Sequence, residues 1–409
     1  MPIRRFAIAA ANGSADDFKH LIDLVVDDEA TYNQCLPVFH ANLDLKRIPD
    51  EENLETDALK CANLALDSLI GLECAPKSIW PDLWLSVWAR LFFFVTYREC
   101  LLDPFARPFA CIDLIGFVCT FKEHEAINAE INRTVGFRSL VTEAWTMIMK
   151  SEEKVAHFAF PDLCSVIRDI TINTSQDFEE ILDGAGGAAN LAYCVLQSIT
   201  LLVTQDSVNP FVTEENLILL VDILLFLENL RNDETIAPAL MQKGGATIIT
   251  LVATASYNYH CGPDRAAMQQ KVALLSLSAL GSFLSCHDAM RDALAIGLLH
   301  TVMYCATISH RETDPSAMRG LRQMLIWILP GSTVFATVFE ELEKRLPSVS
   351  HITEIPEFQM CWMHDYWVKF MALANDRNVA LNVNKSIIAV PIVRKPIGDL
   401  VVTERRANQ

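Results

Sequence analysis

An all-α fold, assembled as an irregular array of packed helices, is what this 409-residue sequence predicts. Three observations carry that reading. Apolar residues recur at helical spacing through most of the chain. Joints rich in Pro, Gly, Asn and Asp interrupt them, and strand-like patterns are missing until the C-terminal tail. Finally, the AVILMFWYC set makes up 51% of the residues and DEKR only 21%, so a large core can be buried and wholesale disorder is excluded.

The elements follow in chain order. Ser14 and Asp17 form a capping-box-like start for a helix through about Asp27. Pro49-Asp50-Glu51-Glu52 opens another that runs to Gly71, with Leu59, Ala62, Leu66, Leu69 and Ile70 on one face. Pro81 and Asp82 begin a third, in which Trp84, Val87, Trp88, Leu91 and Val95 recur at helical spacing. Phe92, Phe93 and Phe94 point all around this helix, so it is expected to be covered on most sides. Further helices are predicted over 107–121, 137–150, 161–172, 187–204, 214–230, 246–258, 264–286, 297–309, 332–346 and 357–374. Asp314-Pro315 caps one more, reaching Leu329 before Pro330-Gly331. Beyond about 376 Val, Ile and Asn dominate and Pro391 and Pro396 intervene. The chain therefore reads as a helical repeat domain over 1–375 and a non-helical, poorly ordered tail over 376–409.

Four glycine-led phrases resemble one another: Gly136-FRSLVTEAWTMIM, Gly186-GAANLAYCVLQSIT, Gly245-ATIITLVATAS and Gly297-LLHTVMYCATI, at offsets of 50, 59 and 52. Each glycine is expected to end one helix in the left-handed cap conformation and launch a buried one. A turn glycine plus apolar helix, recurring at tens of residues, is how helical solenoids of the armadillo/HEAT type are written. The spacing exceeds the ~40–47 residues of regular arrays, so the loops must vary. A compact bundle is the alternative architecture.

Charge narrows the function. Formal net charge is −18, and residues 151–240, with 15 acids and 3 bases, hold −12 of it. No Lys/Arg cluster occurs before Arg394, Lys395, Arg405 and Arg406, which disfavours nucleic acid and anionic membrane surfaces as partners. A basic protein partner fits, and Asp177, Glu179, Glu180 and Asp183 are the acidic candidates for meeting it. A merely solvated helical face is the plainer explanation of the same charges. Tyr97 and Arg98, closing the aromatic segment that starts at Trp84, are candidate partner anchors.

The longest uncharged run, Gly184 to Gln205, contains Gln197, Ser198, Thr200 and Thr204, and the most apolar one, Leu217 to Leu227, carries Asp222 in its middle. Buried inner helices explain both better than membrane spans do. Most of the 12 cysteines sit in apolar runs, no C-x-x-C pair occurs, and only a six-residue apolar run follows Arg4 and Arg5. Core thiols and an intracellular compartment, cytoplasmic or nuclear, are the expectation.

Motifs that carry chemistry are scarce. Asp183-Gly184-Ala185-Gly186-Gly187 lacks the Lys-Ser/Thr of a phosphate loop and reads as a helix–helix turn. Cys361 and His364, at i and i+3, would share a helix face and make half a metal site. Cys286-His287-Asp288 and His260-Cys261 are sequence neighbours whose side chains diverge on a regular helix. Neither G-x-S-x-G nor H-E-x-x-H is present. No catalytic residue, cofactor or metal ligand is assigned, and a non-enzymatic role is expected.

The segment Pro81-DLWLSVWARLFFFVTYREC-Leu101 resembles a pattern in the helical N-terminal part of fungal MYND-type zinc-finger proteins. Thr134-VGFRSLVTEAW-Thr146, Phe160-PDLC-Ser165 and Phe178-EEILDGAG-Gly187 are similar to phrases of the same region, which together span residues 1 to about 375. The resemblance implies a helical scaffold that binds other proteins. In that family a zinc finger follows; here no cysteine follows Cys361, so no finger ligand is carried over. Two alternatives remain beside the scaffold: a zinc-binding regulatory protein of this type whose finger is encoded elsewhere in the gene, and an enzyme with a Cys/His site assembled between helices.

Overall fold

The computed structural model describes residues 2–25, 28–49, 57–70, 80–101, 107–122, 125–151, 153–203, 211–231, 233–257, 263–284, 286–308 and 318–388. Among them the regular structure is all helical, with no β-strand. The first half runs α1 (Pro2–Ala11), α2 (Ala15–Val25), α3 (Glu29–Asn42), α4 (Asp57–Ile70), α5 (Trp80–Thr96), α6 (Arg98–Leu101), α7 (Arg107–Lys122), α8 (Glu125–Arg133), α9 (Phe137–Lys150), α10 (Glu153–Asp169), α11 (Ser175–Ala185) and α12 (Ala188–Leu202). The second runs α13 (Glu214–Asn229), α14 (Ile236–Gln242), α15 (Gly245–Tyr257), α16 (Pro263–Phe283), α17 (His287–Ile296), α18 (Leu298–Ile308), α19 (Arg319–Gln323), a π-helical turn (Met324–Ile328), α20 (Leu329–Ser332), α21 (Ala336–Thr353), α22 (Pro356–Gln359) and α23 (His364–Ile388).

Local chemistry sets many of these ends. The Ser14 hydroxyl accepts the Asp17 amide at 3.4 Å and opens α2. Asp28 and Thr213 cap α3 and α13 through side-chain oxygens, and Thr174 with Asp177 closes a full capping box on α11. Left-handed backbone falls where the repeated phrases begin. Gly136 has φ 77°, Gly186 φ 74° and Gly297 φ 128°. In the third phrase the turn is made one residue early, by Gly244 at φ 80°, while Gly245 is already the first residue of α15.

The helices released by these turns pack on one another in order. α9 lies against α12, α12 against α15 and α15 against α18. A second series does the same: α7 packs on α10, α10 on α13, α13 on α16 and α16 on α19. The inner helices are apolar on most sides, and Leu191, Cys194, Val195 and Ile199 of α12 are all buried. Two indoles sit fully inside, each with its polar atom satisfied. Trp84 Nε1 donates to Thr134 Oγ1 at 2.9 Å and Trp145 Nε1 to Ser198 Oγ at 3.0 Å.

A polar seam crosses the second series at every step. Lys122 of α7 donates to the Ser165 carbonyl of α10 and pairs with Asp169 at 2.7 Å. Arg168 of α10 reaches Asp222 of α13 at 3.6 Å. The Ser278 hydroxyl of α16 donates to Glu228 of α13 at 3.0 Å, and Gln323 Nε2 of α19 to the Gly281 carbonyl of α16 at 2.8 Å. Asp222, the acid inside the most apolar run, is thus a buried inter-helix partner. Burial raises its carboxyl pKa, with Arg168 pulling the other way.

Several boundaries differ from those the sequence predicts. α10 starts at Glu153 and runs through Pro161, where residue 161 was expected to begin the helix. α21 runs through Pro347 and ends at Thr353 rather than 346, and α3 likewise holds Pro37 inside. An internal proline removes one hydrogen bond and costs ~3 kcal/mol, which tertiary burial outweighs here: Ala156, Ala159, Phe160, Leu163, Val166 and Ile167 of α10 are all buried. The tail also begins later than expected, because α23 continues through Ile388, past residue 376. Residues 389–409, the Asp314-Pro315 cap and His260-Cys261 lie outside the described residues.

No single described helix is long and apolar enough to cross a membrane. Two pairs qualify together on length and composition: α11 with α12, bent by 77°, and α14 with α15, bent by 78°. Both pairs contribute core residues to the helix series above.

One close approach gives a direct test. α11 crosses α9 at Gly184, where a Cβ would overlap the Ser139 carbonyl and the Thr142 hydroxyl, whereas a Cβ at Gly116 of α7 meets nothing within 4 Å. Gly184→Ala is expected to destabilise the fold by about 1–3 kcal/mol in urea unfolding, and Gly116→Ala to leave it unchanged or raise it by about 0.5–1 kcal/mol.

Candidate functional site

Two of the acidic candidates, Asp177 and Glu180, lie where α8, α9, α10 and α11 line an open polar groove of about 750 Å³. Asn132, Arg138, Arg168, Asp169, Asp177 and Glu180 are among its walls. α9 positions the central cation. Arg138, buried on the first turn after Gly136, lies 3.1 Å from Asp177 and 3.7 Å from Glu180, and its Nε donates to the Thr171 carbonyl at 2.9 Å. Asn132 fixes the opposite wall by donating to the Asp169 carbonyl and accepting the Thr171 amide, both at 3.1 Å.

Two of the four predicted acids therefore serve the fold. Asp177 also accepts the amides of Asn173 and Thr174 at 2.9 Å each. Burial pushes its carboxyl up, but those two amides and Arg138 outweigh it, so the group stays below the usual carboxylate range. Asp169 follows the same pattern: burial raises it, and the hydrogen bonds and charges of Arg168 and Lys122 bring it below normal. Glu179 and Asp183 are the pair left in solvent.

Tyr97 and Arg98 sit at the joint of α5 and α6, apart from that groove in sequence but tied to the same helix. The Arg98 guanidinium pairs with Glu143 of α9 at 2.6 Å and also donates to the Val95 carbonyl; only 12% of its side chain is exposed. Tyr97 packs on Phe93 at 4.8 Å between centroids. Arg98 is thus an internal clamp between α6 and α9. Of the neighbouring aromatics, Trp84, Trp88 and Phe93 are buried, while Phe92 is 45% exposed rather than enclosed.

The thiols divide sharply. Burial pushes Cys111 up to about 12 and Cys119 up to about 11, and it raises Cys35, Cys61, Cys164, Cys194 and Cys305 as well. A thiol held protonated is a poor nucleophile and a poor ligand. Cys361 and His364 do not share a helix face: Cys361 lies in the turn before α23, buried, with its Sγ donating to the Ala306 carbonyl at 3.1 Å. Cys286, His287 and Asp288, expected to diverge, instead bring their donor atoms within 4.8 Å of one another. The reason is that Cys286 is the extended N-cap of α17, not part of regular helix. All three are exposed, and Asp288 is already paired with Arg291 at 3.3 Å, so a cation would compete with that guanidinium for one of only three donors.

A second half-buried polar pair, not anticipated from the sequence, links α15 and α18: the Tyr257 hydroxyl lies 3.1 Å from His300 Nδ1. Burial lowers the pKa of His300, and His351 of α21 lowers it further.

Comparison with known proteins yields no matching family model, no matching curated protein and no matching solved structure.

Two measurements check this geometry. Because the Asp177 carboxyl is depressed, its contribution is present above the unfolded value near ~3.9 and lost as pH falls through the folded one. Asp177→Asn is expected to cost about 1 kcal/mol at neutral pH, screened by solvent at this partly exposed site, with the gap to the parent closing as pH falls below the ordinary carboxylate range in a pH series of urea midpoints. In native alkylation read by mass spectrometry, Cys100 and Cys286, the exposed thiols among the described residues, are expected to label first, with the buried ones reacting only after unfolding.

Proposed function

We propose that this chain is a non-enzymatic protein-interaction scaffold, built as an irregular armadillo/HEAT-like helical array and related to the helical region of fungal MYND-type proteins. The observation that supports the reading most is the pair of helix series that advance together along the chain, each helix covering the face of the next. Such a build spends its apolar surface inward and leaves long outer faces for contact. On this reading the chain works inside the cell, in the cytoplasm or nucleus, a partner with a basic surface meets its acidic stretch, and Glu179 and Asp183 are the carboxylates free to receive it.

The test uses the full chain immobilised against a Lys/Arg-rich peptide and an uncharged peptide of equal length. Capture of the basic peptide is expected to weaken about tenfold between ionic strengths of about 0.05 and 0.5 M, and to fall again when Glu179→Lys and Asp183→Lys are combined. Equal capture of both peptides, or capture indifferent to salt, would remove the acidic face from the proposal.

A further inference from the structure

A different surface lies near the C-terminal end of the described chain, and its chemistry is opposite. Beside the π-helical turn Met324–Ile328, Trp327 is 73% exposed and Trp362 40%, and Arg322 joins them, lining a groove with Trp327 and lying over the Trp362 ring. Isolated exposed apolar residues are ordinary, but two exposed indoles sharing one arginine are not. Arg319, Arg322, Gln323, Ile326 and Trp327 line a groove of about 600 Å³. α23 packs against the same turn, and its ring partners extend the surface. Trp362 stands edge-on to Tyr366 at 6.1 Å.

The cations here are ordered by rings. The Arg322 guanidinium lies 5.1 Å over the Trp362 ring and the Lys369 ammonium 5.6 Å over Tyr366. Among the described residues, Arg319, Arg322 and Lys369 have no carboxylate partner. Asp365, on the same stretch of α23, is 88% exposed and lies 4.0 Å from His364. The floor of the groove is rigid, because Gln323 is held to the Gly281 carbonyl and Gly320 crosses α16 so closely that a Cβ would overlap Ser278. Single π-helical turns are frequent at functional sites, and Trp, Tyr and Arg on a fixed support are the residue types that dominate binding energy in interfaces.

We infer that this face is a docking site for an acidic peptide segment of a partner protein, one that carries an aromatic or aliphatic anchor between its carboxylates. The carboxylates pair with Arg319, Arg322 and Lys369, and the anchor lies against Trp327 and Ile326. Charge complementarity selects this occupant. The surface is cationic within a chain of net charge −18, so it attracts what the rest of the molecule repels. The inference is independent of the acidic stretch around Glu179 and Asp183.

The experiment titrates the full chain with three synthetic peptides of one length and one Leu-Phe anchor, flanked by Glu/Asp, by Gln/Asn or by Lys. Tryptophan emission and calorimetry are the readouts. The acidic peptide is expected to bind saturably with a blue shift from Trp327, and Arg322→Glu and Trp327→Ala are each expected to weaken it about tenfold or more. Both substituted side chains are exposed, so unchanged melting curves verify the fold, and the Glu179→Lys/Asp183→Lys variant should bind the acidic peptide as the parent does. Equal binding of the Gln/Asn peptide, or no effect of the two surface variants, overturns the inference. So does tighter binding of a single-stranded oligonucleotide, which assigns the face to nucleic acid. Concentration-dependent self-association in sedimentation that Trp327→Ala abolishes also overturns it, and assigns the face to a second copy of the chain.

Discussion

A helix that is apolar around most of its circumference has to be covered from every side, and this chain contains several in succession. α12, α15 and α18 carry buried residues on too many faces for one neighbour to hide. α12 and α15 are each flanked by the helix of the same kind before and after them and α18 by α15, and all three touch α13 or α16 of the second series. The left-handed glycines serve this demand. A chain that must leave one layer and enter the next at a steep angle needs backbone conformations that side-chain-bearing residues resist, and Gly136, Gly186, Gly244 and Gly297 supply them. Gly184 meets the same need in a different way, by letting two helix backbones approach without an intervening side chain.

Apolar contact alone does not say how far one helix is shifted along another. The seam from Lys122 through Asp169, Arg168 and Asp222, and on through Glu228, Ser278, Gly281 and Gln323, supplies that information at discrete points. Buried ion pairs of this kind contribute little net stability, since desolvation offsets most of their Coulomb energy. Their contribution is to register: a one-turn slip would leave charged groups buried without partners. The Arg138 cluster does the same work for α9 and α11, which is why the acidity of that region is only partly available to anything outside.

Much of the fold was legible because it is written locally. Ser14 caps α2 through a contact three residues away, and the glycine-led phrases mark the inner helices within a residue or two, whereas α11, which Thr174 caps just as locally, was not read as a helix. What misled was also local. Pro161 looks like a helix start and Pro347 like the residue that ends one, and only the burial of residues on both sides of them carries each helix through. The Val-, Ile- and Asn-rich segment after residue 376 stays helical as far as Ile388 because it prolongs α23, whose Trp367, Phe370 and Ala374 are buried. The candidate site was less legible for a plainer reason: its pairings are distant in sequence. Nothing near Asp177 announces Arg138, and nothing near Arg98 announces Glu143. The convergence of Cys286, His287 and Asp288 was hidden by a single extended residue at a helix start. Trp327 reads as one more apolar residue in an apolar helix, and its exposure follows only from the packing of its neighbours.

Within residues 107–323 both helix series advance in steps of three elements, from α9 to α12 to α15 to α18 and from α7 to α10 to α13 to α16 to α19. The frame of this molecule is therefore counted in helices rather than in residues. Gaining or losing a single helix in that stretch would send every later one to the wrong row, with its hydrophobic side facing outward. Gaining or losing three would leave all the rest in phase.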